Sequence, residues 1–119
     1  MHLHTGQCPT VLVQFSGGEA KKHQYDVAGV YTLRVGRTTN SSEDWISTDG
    51  RYAIWYVETL KYWIVGNVRN RGTTFSSLSS STPSQSPVYT GNKWKYYDGV
   101  RGVFIQSDRV HVMCAKAGK

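Results

Sequence analysis

Residues 52–66 read YAIWYVETLKYWIVG, and this stretch decides the fold. Two runs rich in aromatic and β-branched residues flank a polar stretch at 58–61, which predicts two strands joined by a short turn, a β-hairpin. Successive side chains of a strand point to opposite faces, so the first run puts large apolar residues on both faces. One face holds Tyr52, Ile54 and Tyr56, and the other holds Ala53, Trp55 and Val57. We therefore expect other parts of the chain to cover at least one face.

The rest of the chain continues the β pattern. Short β-forming runs alternate with Gly, Asp-Gly or Ser-Pro signals, which predicts further strands near 10–16, 30–35, 45–47, 88–89, 94–97, 103–106 and 110–114. Residues 19–27 are polar and are the candidate for a helical turn, and residues 72–87 predict a long loop that Phe75 and Leu78 would pin. The fold class predicted is all-β, a single-domain antiparallel sandwich or small barrel.

Length and composition indicate one globular domain. The chain has 119 residues, of which 39% are hydrophobic, so we expect one domain over residues 1–119 with its core module at about 8–114. No apolar run reaches the roughly 18 residues that a membrane span needs, so we expect no membrane insertion. Fourteen Lys and Arg against eight Asp and Glu give a net charge of +6. That charge is scattered rather than gathered into a stripe, so we also expect no nucleic acid partner.

The two cysteines, Cys8 and Cys114, lie near opposite ends of the chain. In a cytosolic protein they would be unrelated thiols, whereas in a secreted protein a disulfide would tie the first strand to the last. Such a bridge would close a loop of roughly 100 residues, worth on the order of 4–5 kcal/mol in the chain-entropy model. Asn40-Ser41-Ser42 is an N-glycosylation sequon, which favours the same compartment. We predict a secreted protein with a Cys8–Cys114 disulfide and with Asn40 as a candidate glycosylation site.

A recurring order of motifs runs through most of the chain. It comprises Cys8, Gly29-Val30-Tyr31, Tyr52-Ala53-Ile54-Trp55-Tyr56, Tyr62-Trp63-Ile64, Ser86-Pro87, Trp94-Lys95-Tyr96-Tyr97-Asp98-Gly99 and Cys114. This order resembles a family of secreted modules that is abundant in marine invertebrates and often tandemly repeated. A feather-star lectin for N-acetyllactosamine-type glycans looks like this group. The resemblance implies a secreted β module with a glycan-binding precedent, and it supplies no binding residues to carry over.

The sequence offers little for catalysis or metal binding. No Gly-x-Ser-x-Gly elbow and no phosphate-cradling glycine loop is present, and most of the eight carboxylates fall at turns. Glu43 and Asp44 are the most enzyme-like pair, but adjacent strand residues point to opposite faces. His111 and Cys114 have a suggestive spacing, yet on a strand they also face opposite sides. We expect no enzymatic activity, no cofactor and no metal site.

Glycan recognition suits the composition better. A sugar presents a C–H face and a ring of hydroxyls, so it is bound by an aromatic ring beside polar side chains. The chain has 15 aromatic residues by the sum of 4 Trp, 8 Tyr and 3 Phe, too many for a small core to bury completely. We expect Tyr31, Trp55, Trp63, Trp94 and Tyr97 in the core. Trp45 precedes an Asp-Gly turn and is the predicted stacking residue, and the polar residues grouped with it are Glu58, Arg69, Asn70 and Arg71.

These observations predict a non-catalytic lectin that recognises galactose or N-acetyllactosamine-type glycans on glycoproteins or cell surfaces. The alternatives are an extracellular protein-interaction or structural module, acting through an aromatic patch or a sheet edge, and a basic binder of sulfated polysaccharide. A single shallow site binds small sugars weakly, so useful avidity requires several copies. We therefore expect a homo-oligomer, either a dimer or a tetramer.

Overall fold

The computed structural model describes residues 8–39, 42–81, 84–89 and 93–115. These residues contain nine strands and one short helix, α1, at Gly18–Gln24. The strands are β1 Thr10–Phe15, β2 Gly29–Thr39, β3 Ser42–Ser47, β4 Tyr52–Val57, β5 Tyr62–Asn67, β6 Leu78–Ser80, β7 Trp94–Asp98, β8 Val103–Ser107 and β9 Val110–Cys114. Three short 3-10 turns complete the described elements, at Tyr25–Val27, Val68–Asn70 and Pro87–Tyr89. The all-β prediction is confirmed.

All nine strands belong to one antiparallel sheet that nearly closes into a barrel. Their order in the sheet is β8-β7-β6-β5-β4-β3-β2-β1-β9. Each strand from β1 to β7 is thus a neighbour of the next one in sequence, while β9 returns to pair with β1 through Val11↔Cys114 and Phe15↔Val110. The two ends of the sheet are β8 and β9, and the turn Pro87–Tyr89 packs against β9 at this seam.

The hairpin predicted for residues 52–66 is the pair β4–β5, with Tyr52 opposite Asn67 and Val57 opposite Tyr62. Its inner face contributes Ile54, Trp63 and Val65 to the main core. Its outer face carries a second buried cluster, which consists of Ala53, Trp55, Val57 and Ile64. Both apolar faces are therefore covered, the inner one by the barrel interior and part of the outer one by a loop.

The covering loop is segment 71–77. The indole Nε1 of Trp55 donates to the carbonyl of Thr73 at 3.0 Å, and the backbone N–H of Ser77 donates to the carbonyl of Val65 at 2.8 Å. Gly66 lies directly beneath the loop, because a Cβ there would stand 3.1 Å from the Trp55 ring and 3.2 Å from the Phe75 carbonyl oxygen. The close approach therefore requires glycine at this position.

The disulfide joins Cys8 to Cys114 across 106 positions of sequence, with a Cα–Cα distance of 5.7 Å. It confirms the predicted pairing and ties the chain just before β1 to the end of β9. The helix α1 fills the candidate helical stretch and packs against β7 and β1. Its Gln24 donates a side-chain hydrogen bond to the Tyr97 carbonyl at 2.7 Å, which fixes that end of β7.

Several local expectations are wrong. Residues 88 and 89 form the 3-10 turn rather than a strand, and the predicted long loop contains β6. Leu78 does pin this region because it is buried, but the Phe75 side chain is 71% exposed. Tyr97 is only partly buried rather than a core residue. It occupies the opposite face of β7 from Trp94 and Tyr96, as the strand alternation requires.

Candidate functional site

Trp45 cannot act as the predicted stacking residue. Its side chain has 0% exposure, its ring packs edge-on against Trp63 at 5.8 Å between centroids, and its Nε1 donates to the Cys8 carbonyl at 2.7 Å. The Asp-Gly turn that follows suggested a loop end, but Trp45 pairs with Leu33 and Ile54 in the middle of the sheet. A ring closed in on all sides presents no face to a sugar.

The polar residues grouped with Trp45 do not form one site. Glu58 is exposed in the turn after β4, whereas Arg69, Asn70 and Arg71 follow β5 at the other end of the same hairpin. The paired strands between them are six residues long, which separates the two groups by roughly 17 Å at the usual strand rise. Asn40, the sequon asparagine, lies outside the described residues.

Arg71 instead joins a structural ion cluster around Asp44. Asp44 is fully buried and accepts two hydrogen bonds of 2.6 Å from the Arg34 guanidinium and one of 2.6 Å from Thr39. Arg71 lies 4.0 Å away. Burial alone would raise the pKa of Asp44, but the hydrogen bonds from Arg34 and Thr39 and the nearby Arg71 charge outweigh it, so the pKa is lowered. The cluster clamps β2 to β3.

A different surface carries two exposed aromatic rings, those of Phe75 and Phe104. We call it the outer groove, the hollow between residues 74–76 and the outer face of β5, β7 and β8. Its lining residues are Leu60, Tyr62, Ile64, Thr74, Phe75, Ser76, Ser79, Lys95, Tyr97 and Phe104. The groove has two lobes, of about 200 Å³ beside Tyr62 and about 520 Å³ beside Tyr97. The lobes share Thr74, Ser76 and Phe104, so they form one continuous depression.

Strand register explains why these side chains meet. Tyr97 pairs with Phe104 and Lys95 with Gln106, while Ser79 lies opposite both Lys95 and Ile64. Opposed residues share one face of an antiparallel sheet, so a row of outward side chains crosses four strands. The Tyr97 and Phe104 rings touch edge to face with centroids 5.3 Å apart, the geometry that aromatic pairs prefer.

The groove combines apolar and polar chemistry. Phe75 is 71% exposed and Phe104 is 39% exposed, so both rings offer a free face. The Ser76 Oγ is buried and has no hydrogen-bond partner among the described residues. A buried hydroxyl without a partner costs about 1–3 kcal/mol, and its burial keeps it out of reach of a ligand in the groove. Lys95 is the charged group among the lining residues and supplies up to three donors.

A second hollow of about 190 Å³ lies beside the Asp-Gly turn, between Asp26, Asp49 and Tyr52. Its polar groups are already hydrogen-bonded to one another. Asp49 accepts from the Arg51 backbone, the Ser47 hydroxyl and the Arg51 guanidinium, and these bonds lower its pKa to about 2. The Arg51 guanidinium also covers the Tyr52 ring at 5.4 Å. The hollow therefore lines the inner side of a stable turn. Its polar groups have less hydrogen-bonding capacity left for a ligand than those of the outer groove.

Sequence reasoning missed Phe75, Ser76, Tyr97 and Phe104 as site residues. Alternation in the run WKYYD could have found Tyr97, because it separates Lys95 and Tyr97 from the buried Trp94 and Tyr96. No signal in the sequence placed residues 74–76 against β8. Within the described ranges, no three His, Cys, Asp or Glu residues are grouped for a metal ion, and no described helix is long and apolar enough to cross a bilayer.

A scan against known protein families, a search of curated proteins and a search of solved structures each found no match to this chain. The site therefore rests on its own geometry, which comprises two open aromatic rings and an ammonium group in one shallow groove.

Proposed function

We propose that this chain is a non-catalytic, carbohydrate-binding protein that recognises galactose-containing glycans of the N-acetyllactosamine type in the outer groove. The observation that carries the proposal is the meeting of the exposed Phe75 and Phe104 rings in one lobe of the groove. The resemblance of the sequence to a family of secreted β modules, which one glycan-binding lectin also resembles, supports the same class of ligand. A disulfide is consistent with an extracellular protein, and we propose that the chain is secreted.

Aromatic stacking supplies the first part of the proposed recognition. The axial 4-hydroxyl of galactose leaves one side of the sugar ring with a continuous patch of C–H groups, which packs against an aromatic face. Phe104 is held for this role by Tyr97, which contacts its ring edge to face. A ring fixed before binding loses little conformational freedom on binding, so more of the contact energy appears as affinity.

Hydrogen bonds supply the second part. The Lys95 ammonium lines the groove and can donate to sugar oxygens. Thr74 and Ser79 add hydroxyls along the lining. This set suits a neutral sugar, since a strongly anionic ligand calls for several cations rather than one.

The shape of the groove favours a glycan that projects from a larger carrier. Both lobes lie on an open sheet surface rather than inside the barrel, so a bound sugar keeps much of its surface in water. An enclosed pocket buries most of its ligand, whereas an open groove buries less and therefore binds the ligand more weakly. We therefore expect weak binding of one free sugar per groove and stronger binding to carriers that display many copies.

The test is isothermal titration of the oxidised protein with N-acetyllactosamine and lactose, after a glycan array has shown which sugars bind. Phe104→Ala should remove roughly 1.4 kcal/mol of stacking energy, which corresponds to about a tenfold or greater loss of affinity. Tyr25→Ala is the matched control, since Tyr25 is 68% exposed and lies outside the groove. The proposal fails if galactose-terminated glycans do not bind, or if Phe104→Ala and Tyr25→Ala have equal effects.

Salt separates the proposal from its alternatives. Stacking on a neutral sugar should persist at high ionic strength and should be competed by free lactose. Binding of a sulfated polysaccharide through the net charge of +6 should instead weaken steeply as salt rises. A protein-interaction module would respond to neither sugar nor sulfated polymer. It would use the same exposed Phe75 and Phe104 rings as a contact patch.

A further inference from the structure

Among the strands that the structure describes, β8 ends the sheet with an unpaired edge. On one side it pairs with β7 from Asp98↔Val103 to Trp94↔Ser107. No described strand pairs with its other side, although β9 follows after a turn of two residues. The opposite end of the sheet differs, because the turn Pro87–Tyr89 packs against β9. An exposed strand edge is a template for a further strand.

The main-chain groups that face this free edge can be identified. The Tyr97 N–H donates to the Ser77 carbonyl on the β6 side of β7. Backbone groups alternate in direction along a strand, so those of Tyr96 and Asp98 point towards β8. Their partners Ile105 and Val103 therefore point back to β7. It follows that the N–H and C=O groups of Phe104 and Gln106 face outward.

We propose that β8 pairs in antiparallel fashion with β8 of a second copy of this chain, in a register centred on Ile105. In that register Phe104 of one copy lies opposite Gln106 of the other, and each such pair exchanges two main-chain hydrogen bonds. The two Ile105 residues then meet at the twofold axis as a pair that exchanges none. The four outward main-chain donors and acceptors of each copy are satisfied by this arrangement.

The side chains of β8 suit this pairing. The strand VFIQS carries no charged residue and no proline that would block an added strand. Val103 is 49% exposed and Phe104 is 39% exposed, so pairing removes apolar surface from water. Arg101 and Arg109 flank the strand and would approach each other across the axis. Each already lies beside a carboxylate of its own chain, Asp98 at 3.6 Å and Asp108 at 3.9 Å.

The pairing also bears on ligand binding, and this consequence rests on the proposed function. A twofold axis perpendicular to the sheet keeps both outer grooves on the same face. Phe104 lines both lobes of the groove, so Gln106 of the second copy would stand beside it. The side-chain amide of Gln106 is held in its own chain by the Ser81 hydroxyl and the Trp94 carbonyl, so it would extend the wall of the groove in a fixed position. Two grooves on one continuous sheet would engage two branches of a carrier glycan and raise the avidity.

Cross-linking tests the register directly. Opposed residues of a hydrogen-bonded antiparallel pair have Cα atoms about 5.5 Å apart, a distance that a disulfide spans. A mixture of Phe104→Cys protein and Gln106→Cys protein should therefore form a disulfide-linked heterodimer under mild oxidation. Either variant alone should form much less, because its own cysteines lie diagonally across the axis. Equal cross-linking of each variant alone, or none in the mixture, would overturn the proposed register.

Sedimentation velocity over a concentration series tests the association itself. The wild-type protein should show a concentration-dependent dimer. Gln106→Pro removes an outward N–H that β7 does not use and should abolish the dimer, while Gln106→Ala keeps that N–H and should retain it. A monomer throughout, or a dimer unaffected by Gln106→Pro, overturns the proposal. A folded Gln106→Pro monomer that still binds lactose in titration keeps the proposed function separate from this outcome.

Discussion

The barrel interior and the outer groove both contain aromatic residues, but the rings are enclosed in the interior and exposed in the groove. Trp45 in the interior is completely enclosed and hydrogen-bonded through its indole. Phe104 in the groove keeps 39% of its surface exposed. Alternation along the strands supplies aromatic side chains to both faces. The difference shows that enclosure depends on what covers a face: on the outer face, segment 71–77 covers Trp55 and stops short of Phe104.

The largest expected effect is a loss of stability on mutation of the barrel interior. Trp45→Ala should destabilise the protein by about 3–5 kcal/mol, because it removes a buried indole and leaves a cavity. Denaturant unfolding followed by circular dichroism would measure it. Tyr25→Ala provides the exposed control and should lie within about 0.5 kcal/mol of the wild type. An unchanged unfolding midpoint in Trp45→Ala would place that ring at the surface and break the comparison.

Removing the disulfide should lower the stability of the protein without changing its affinity for sugar. The double variant Cys8→Ser/Cys114→Ser should lose about 2–5 kcal/mol, since the bridge closes a loop across 106 positions. The bridge lies at the seam of the barrel and lines neither lobe of the groove. Lactose affinity should therefore be unchanged where the variant is fully folded, as titration at low temperature would show. A parallel loss of affinity would contradict the independence of the two regions.

The Asp44 cluster should make the interior sensitive to acid. The pKa of the Asp44 carboxyl is lowered in the folded protein. Its contribution to the free energy of unfolding is therefore fully present above the unfolded pKa of about 3.9 and is lost as pH falls through the folded pKa. Asp44→Asn should cost about 2 kcal/mol at neutral pH through lost charged hydrogen bonds. The difference from wild type should shrink at the lowest pH, measured by urea unfolding. Asp108→Asn, with an 88% exposed carboxylate, should show neither effect.

Gly66 lies where the covered and open parts of the outer face meet. Gly66→Ala would place a methyl 3.1 Å from Trp55 and 3.2 Å from the Phe75 carbonyl. The loop must then shift, at a cost of about 1–3 kcal/mol. Because that loop carries Phe75 and Ser76, sugar affinity should fall as well. Thermal melting and lactose titration on one preparation would test the coupling, and a loss of stability without any loss of affinity would argue against it.

The smallest effect on stability should come from the groove itself. Phe75→Ala removes a ring that is 71% exposed, so the free energy of unfolding should change by less than about 0.5 kcal/mol. Lactose affinity should nevertheless fall several-fold, because the ring is proposed to stack on the sugar. Phe75→Tyr keeps an aromatic face and should preserve binding. If Phe75→Ala melts far below the wild type, the ring belongs to the core and the distinction between the regions disappears.

Local patterns in the sequence determined the fold class and much of the core. Alternating runs predicted the β4–β5 hairpin, the burial of Trp55, Trp63 and Trp94, and an all-β architecture, because strand alternation is a local property of the chain. The position of the two cysteines, one near each end, predicted the bridge between them. These features needed no knowledge of which distant segments meet.

Only the tertiary structure decided where the candidate site lies. Trp45 and Phe104 both occur in short β runs, and nothing local distinguishes the enclosed ring from the open one. Their exposure depends on which residues far apart in sequence are brought together, such as segment 74–76 and β8, which line one groove. The unpaired edge of β8 is decided in the same way, because β9 turns away from it to pair with β1. Such long-range pairings are set by the packing of the whole chain, so a local pattern cannot reveal them.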